Sequence, residues 1–509
     1  MAKKRTTRTT RTTRTTRTAG VETEAGFAPG EFAAPSVRDY VVAELKYESP
    51  VAFSSSGFAA PRPEQSEAAS QAASLNEALS RYQIDTVRSH FGMPAAAVRE
   101  SVEVAAGLPE APHAERVADR GVDSDFIQTR FVQIIPKRGA DAKAIAEDLK
   151  RRGAVWDAFV APRPVPASAI GAQTGTRLFE PSQGYLDDPP DGIGACEAWT
   201  LPGATGKGIV ICDIEGNWNR RHEDLPRKIQ LLGGTPINSL DWRNHGTAVL
   251  GEMVSRRNDF GCVGVSHDAR AVVHSAVING VFNTAGAIAG AAAKLSAGDV
   301  ILIELQAIGP NGKYVAMQYW HDVFVAIRSA VLKGITVVEA AGNGNENFDL
   351  AAFNGTGLQM DSGAIVVGAG VPPTNRFDFD GWPPTFGPYD SIGVPRSRIW
   401  FSNYGKIINV QGWGWHVTSL GYGDLQGDAS ENKWYTLRFR GTSSASPIVT
   451  GCVACLQGRS KAKNGSPLTP AEVRQILMTT GTPQVAGPGV PLSQRIGPLP
   501  DLTEAMKKV

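Results

Sequence analysis

Three polar residues of this 509-residue chain stand where chemistry is usually done. Asp213 closes an apolar run, IVICD. His245 lies in NHGTAVLGEMV, after a polar loop and where a helix should begin. Ser443 follows Gly441-Thr442 and opens SSASPIVTGCVACLQ, a predicted helix that tolerates Pro447 only near its start. Alone, each is unremarkable, because serines cap helices and carboxylates end strands in most proteins. Together they are the parts of nucleophilic acyl transfer. A serine hydroxyl attacks well only when a neutral imidazole takes its proton, and a buried carboxylate must fix that imidazole's tautomer. Of the three serines in RGTSSASPIVTG, only Ser443 would set its own N–H beside a developing oxyanion at the helix N-terminus. Ser444 and Ser446 read as helix-start residues.

The elements that must position these groups are legible around them. GKGIVICD (206–213), DVILIEL (299–305), GITVVEAAGN (334–343) and GAIVVGAG (363–370) are largely apolar throughout, as strands buried on both faces of a parallel sheet are. Helical stretches alternate with them, notably 314–333. TPAEVRQILMTTG (469–481) carries a Thr cap, an early Pro, Glu472 and a closing Gly. The fold class is therefore α/β, a mostly parallel central sheet flanked by helices in three layers. Its ligands should bind beyond the carboxyl ends of the strands.

At this point the sequence resembles the subtilisin-like serine proteases, or subtilases. GKGIVICDIEG resembles their aspartate motif, NHGTAVLG the histidine motif and GTSSASPIVTG the serine motif, in the order acid, histidine, serine. The likeness spans roughly residues 180–490. It implies Ser443 as nucleophile, His245 as general base and then acid, and Asp213 as the orienting carboxylate. Glu215 is the alternative acid, set aside because the apolar run leads directly into Asp213. It also implies Asn343, after the Ala-Ala-Gly turn in VVEAAGNGN, as oxyanion donor. Glu304, Leu305, Gln306 and Gly342 fall where relatives bind the substrate backbone. Relatives have Ser-Leu-Gly there, so Gln306 should crowd the specificity pocket and Glu304 add negative charge, favouring small or basic side chains. HEDL (222–225) and the loop from Asn258 suggest structural calcium held by Asp224 and Asn258. The chemistry itself needs no cofactor. The implied activity is a serine endopeptidase acting on protein or peptide substrates, with a peptide-holding pseudo-protease as the alternative.

The rest of the chain bounds this assignment. Residues 1–65 read as a basic Arg-Thr-Thr tail and linker, able to contact nucleic acid or another polyanion. Residues 66–122 read as a helical segment. Residues 123–165 read as strand–helix–strand, sitting where relatives carry a cleavable, inhibitory pro-domain; a permanent accessory domain is the alternative. The catalytic domain should occupy 175–495, with a short tail to 509. The net charge of +1 gives no global field for nucleic acid or membrane. No apolar run is long enough to span a bilayer and no secretory signal opens the chain, so a soluble cytoplasmic protein is expected. Five cysteines, Cys452 and Cys455 among them, read as buried thiols and not as a disulfide framework. GATGKG (203–208) lacks phosphate-loop spacing, which disfavours a nucleotide site.

Overall fold

Buried strands must pair their backbone polar groups, and in this chain they do so in two main sheets. A computed structural model describes residues 39–46, 49, 51–54, 57–60, 66–93, 128–137, 139–162, 176–373 and 392–509. The Arg-Thr-Thr repeat lies outside the described residues.

The first sheet contains β1 (Val41–Leu45), β2 (Ile84–Ser89), β3 (Phe131–Pro136) and β4 (Val155–Val160), paired antiparallel in the order β2-β3-β1-β4. Helices α1 (Ser66–Ser80) and α2 (Ala142–Lys150) cover one face. The period of two is visible in β1. Val41, Ala43 and Leu45 pack against Leu75, Ile145 and Leu149 on that face. Tyr40 and Val42 point the other way, toward Val281, Phe324 and Val325. The strand–helix–strand of 126–162 is present, but it is not a unit by itself. Val41–Leu45 supplies its central strand and α1 half of its cover, which corrects the linker reading of 1–65 at these residues and the separate helical segment read over 66–122. A lone strand in an Ala-, Pro- and Ser-rich stretch has too little local pattern to be told from linker.

The second sheet carries the site. Along the chain come β5 (Val210–Glu215), β6 (Gln230–Gly233), α3 (Leu240–Val254), β7 (Arg270–Ser275), α4 (Thr284–Ala292), β8 (Val300–Ile303), β9 (Gln306–Ile308) and β10 (Tyr314–Ala316). Then follow α5 (His321–Leu332), β11 (Thr336–Ala340), β12 (Ile365–Gly370), β13 (Val410–Trp413), β14 (Val417–Leu420), β15 (Tyr435–Phe439), α6 (Thr442–Asn464) and α7 (Pro470–Thr480). Seven strands pair in parallel in the order β13-β12-β11-β8-β5-β7-β6. The helix expected over 314–333 begins only at His321, because Tyr314–Ala316 pairs back on Gln306–Ile308. The α7 cap is the expected capping box of Thr469 and Glu472.

Alternation along β5 decides what faces what. Ile211 packs with α3 and α6 on one side, while Cys212 and Ile214 pack with α4 and α5 on the other. Asp213 and Glu215 share the face of Ile211, as does Glu304 just beyond β8, following Leu302. Three carboxyl groups are thus directed into the layer that holds α3 and α6. The antiparallel module meets the opposite layer, at α4 and α5. There His90 Nε2 lies 2.6 Å from Asp322 Oδ2, and Asn283 Nδ2 donates to the His90 carbonyl at 2.7 Å. Cys212, Cys262, Cys452 and Cys455 are buried free thiols, while Cys196 is exposed. Among the described residues no helix is long and apolar enough to cross a membrane.

Candidate active site

Ser443 is the second residue of α6, a helix long enough to have a well-formed N-terminus. Gly441 precedes that helix with φ 103°, a conformation open to glycine and costly for other residues. The first N–H groups of a helix have no partner within it. Here Thr442 N–H is taken by Asn343 Oδ1 at 2.9 Å, and the Thr442 hydroxyl donates to the same oxygen at 3.1 Å. Because a backbone N–H can only donate, the atom it meets must be the amide oxygen of Asn343. The Asn343 NH₂ group therefore projects away from Thr442. Gln306 Oε1 accepts the Asn343 backbone N–H at 2.8 Å and fixes the turn from below. Gly342, at φ 92°, donates its N–H to Thr442 Oγ1 at 3.1 Å.

His245 lies in the first half of α3 and is fully enclosed. Its Nδ1 is hydrogen-bonded to Glu215 Oε1, and not to Asp213. Asp213 instead accepts a hydrogen bond from Trp218 Nε1 at 2.6 Å. The expectation that Asp213 orients His245 is thus corrected in favour of Glu215. The physical reason is position along the strand. β5 continues two residues past Asp213, with Glu215 still paired to Ser275, so Glu215 shares the face and sits closer to the carboxyl end. Its carboxyl fills space over Gly246, where a Cβ would stand 2.2 Å from Glu215 Oε2. The usable signal was parity: residues two apart on a strand face the same layer, so the acid further along was equally eligible.

Electrostatics follow from enclosure. Burial pushes the Glu215 carboxyl well up, and likewise Asp213, which Glu215 raises further. Burial pushes His245 down to about 3, opposed by Asp213, which keeps the imidazole neutral. His245 Nε2 meets no hydrogen-bond partner among the described residues, and the Phe439 ring packs edge-on at 5.3 Å. Such a site holds an enclosed neutral imidazole with a carboxyl on Nδ1 and, among the described residues, no partner on Nε2.

The substrate-strand residues are placed differently from expectation. Glu304 is 1% exposed, and its carboxyl is hydrogen-bonded to Ser446 Oγ inside α6, with Ser443 also close enough to oppose the upward push of burial. It cannot supply open negative charge to a specificity pocket. Leu305 lies in the core with 1% exposure. Gln306 braces Asn343 rather than filling a pocket.

The calcium expectation does not fit the residues present. Asn258 Nδ2 donates to Asp224 Oδ1 at 2.8 Å, and Cys262 N–H donates to Asp224 Oδ2 at 2.7 Å. Asn258 Oδ1 accepts from Phe260 N–H at 3.0 Å. Both residues thus spend their oxygens on N–H donors, whereas calcium requires oxygens converging on it. Burial pushes Asp224 up to about 7, against the hydrogen bonds from Asn258 and Cys262. No group of three or more metal-ligating side chains occurs among the described residues.

Comparison with known proteins gives the family. A family model described as the subtilase family matches residues 206–497, more than half the chain. Among solved structures, fervidolysin from Fervidobacterium pennivorans, a keratinolytic enzyme related to subtilisin, is 16% identical with a TM-score of 0.50. It aligns with 92% of this chain and 61% of its own. A protease from Pseudoalteromonas arctica is 21% identical with a TM-score of 0.46, covering 65% and 98% of the two chains. The prenylagaramide maturation protease PagA is 18% identical with a TM-score of 0.42, covering 62% and 97%. No curated protein sequence matches. The chain belongs to the subtilase family of serine proteases.

Proposed function

We propose that the protein is a serine endopeptidase working through an acyl-enzyme, with Glu215, His245 and Ser443 as its triad. The observation that carries this reading is the Glu215–His245 hydrogen bond, facing the layer that contains the start of α6. In the acting state the His245 Nδ1–H donates to the Glu215 carboxylate and Nε2 presents its lone pair, and burial, by pushing Glu215 up, moves that state toward higher pH. His245 takes the Ser443 proton as Oγ bonds to the scissile carbonyl carbon, then returns it to the leaving amine. Water repeats the sequence to release the acid. The Ser443 N–H and the Asn343 NH₂ receive the oxyanion, aided by the N-terminal end of the helix dipole. The pseudo-protease alternative finds no support, since base, orienter, nucleophile and donor are all present. Labelling with a fluorophosphonate probe tests the assignment. Label is expected on wild type and Ser444→Ala and lost in Ser443→Ala; persistence in Ser443→Ala would overturn it.

We further read the antiparallel module of residues 39–162 as a pro-segment, and the enzyme as a zymogen. Its docking on α4 and α5 through a buried His90–Asp322 pair supports this, because that surface belongs to the catalytic domain. Full-length Ser443→Ala should stay intact on expression while wild type yields a shorter catalytic species. Full-length wild type that is both intact and active would make the module a permanent accessory domain.

A further inference from the structure

The loop leaving β5 turns outward after Glu215 and carries a run of cations. With the segment 429–432 it walls a groove of about 770 Å³, lined by Arg220, Arg221, Arg227, Lys228 and Arg243. Glu431 contributes the one carboxylate of the lining, and it is spent. Arg243 Nε and Nη2 donate to its two oxygens, each at 2.9 Å. Arg220 Nη1 donates to the Ile229 carbonyl at 2.8 Å. Among the described residues no carboxylate pairs with Arg220, Arg221, Arg227 or Lys228. Four cations therefore share one concave surface in a chain whose net charge is only +1.

This surface is built and not incidental. Its two walls are tied by Arg243 to Glu431, by Asn219 Nδ2 to Asn432 Oδ1 at 3.0 Å, and by Glu223 N–H to the Asn432 carbonyl at 2.8 Å. It also borders the strand and helix that carry Glu215 and His245. Trp218 lines the groove and donates to Asp213. Arg243 stands two residues before His245 on the same helix. Fixed cations in a concave wall raise the local concentration of anionic ligands, and more so at low salt.

We propose that this groove binds an acidic stretch of the substrate polypeptide, flanking the bond cut at Ser443. The inference rests on the peptidase reading and names the substrate class of that site. A polypeptide is favoured over nucleic acid because the groove adjoins the catalytic helix and its one aromatic, Trp218, is buried and gives no stacking platform. Enclosure of Glu304 removes the earlier ground for basic preference; the open charge near the site is positive.

The test uses three fluorogenic peptides sharing one cleavable centre, flanked by acidic, neutral or basic runs. The full-length protein is compared with the triple variant Arg221→Gln/Arg227→Gln/Lys228→Gln, whose three side chains are exposed and outside the catalytic machinery. The acidic peptide should show a KM roughly tenfold below the neutral one, as expected for a few exposed charge pairs. The triple variant, or salt near ~0.5 M, should erase that gap while leaving kcat and the neutral peptide unchanged. Equal KM for all three peptides would overturn the proposal, as would retention of the gap in the variant. Charge-dependent binding of single-stranded DNA without any KM gap would also overturn it, assigning the groove to nucleic acid. If no peptide is cut and the fluorophosphonate probe fails to label Ser443, the peptidase reading itself has failed.

Discussion

Replacing Glu215 by Gln should abolish most turnover, while replacing Asp213 by Asn should not. In the transition state His245 becomes an imidazolium with Nδ1 against the Glu215 carboxyl. Two unit charges about 4 Å apart at an effective dielectric of ~20 interact by roughly 4 kcal/mol. That is about a thousandfold in rate, and a glutamine amide that donates to Nδ1 adds the cost of the wrong tautomer. The expected loss in kcat is therefore on the order of 10⁴-fold, matching the loss when the orienting carboxylate is removed from enzymes of this chemistry. Asp213 is bonded to Trp218 and not to His245, so it does not set the imidazole's tautomer. Asp213→Asn should cost less than about tenfold, because a rate effect needs a group on the reacting proton's path. Glu215→Asp withdraws the carboxyl by one methylene, and a misplacement of this order costs about 10²-fold. The assay is kcat on a chromogenic peptide, with folding checked by circular dichroism. Collapse of kcat in Asp213→Asn with near-normal turnover in Glu215→Gln would refute the reasoning.

Asn343→Ala should lower kcat by about 10²–10³ with little change in KM, since its NH₂ acts only on the oxyanion; a change confined to KM would remove it from that role. Glu304→Gln should leave the ranking of substrate side chains unchanged, because the carboxyl is enclosed on Ser446; loss of a preference for basic side chains would show that it reaches substrate. Glu339, enclosed with Oε1 on Gln318 N–H, is pushed up to about 8 by burial, so the folded protein keeps a proton that the unfolded chain gives up above about 4.5. The stability it contributes is full below that value and is lost as pH rises through about 8, at up to ~1.4 kcal/mol per pH unit. Urea midpoints should therefore fall over that window in wild type and fall less steeply in Glu339→Gln, the other raised carboxyls such as Asp224 keeping part of the slope; an unchanged slope would count against a buried neutral Glu339. Asp224→Ala strands the buried Cys262 N–H and the half-buried Asn258 amide and should cost about 1–3 kcal/mol, whereas EDTA should leave the wild-type Tm unmoved, a drop with EDTA being the adverse result.

The fold was legible where one residue class dominated a run. Strands β8 and β12 are apolar on both faces and β5 and β11 are mostly so, and α7 announces itself by its cap, so local pattern and tertiary role agree. β1 was not legible, because Val41–Leu45 becomes a central strand only through β3 and β4, far along the chain. At the site, the positions of Ser443 and Asn343 left a local trace, a helix start and a glycine turn, whereas the helix carrying His245 begins at Leu240, five residues before it. The identity of the acid left none. Asp213 and Glu215 differ in which side chain reaches Nδ1, and that depends on where β5 ends against β7.

That ambiguity has a structural logic. An acid that moves along a parallel strand can stay on its face only by steps of two, since a step of one would turn it into the α4–α5 layer. Two residues on, the strand has carried the carboxyl nearer its C-terminal end, and the side chain must turn back over α3 to reach Nδ1. Glutamate has the extra methylene for this, and Gly246 leaves the room. The vacated inner position still holds a carboxyl, Asp213, and burying it requires the hydrogen bond from Trp218. Trp218→Phe should therefore act as a stability variant first. It strands a buried carboxyl oxygen and lowers the urea midpoint by the equivalent of about 1–3 kcal/mol. Asp213→Asn/Trp218→Phe should differ little from Trp218→Phe alone in kcat, because Glu215 keeps His245 oriented in both. A double variant whose kcat fell a further thousandfold would mean that Asp213 still serves the imidazole.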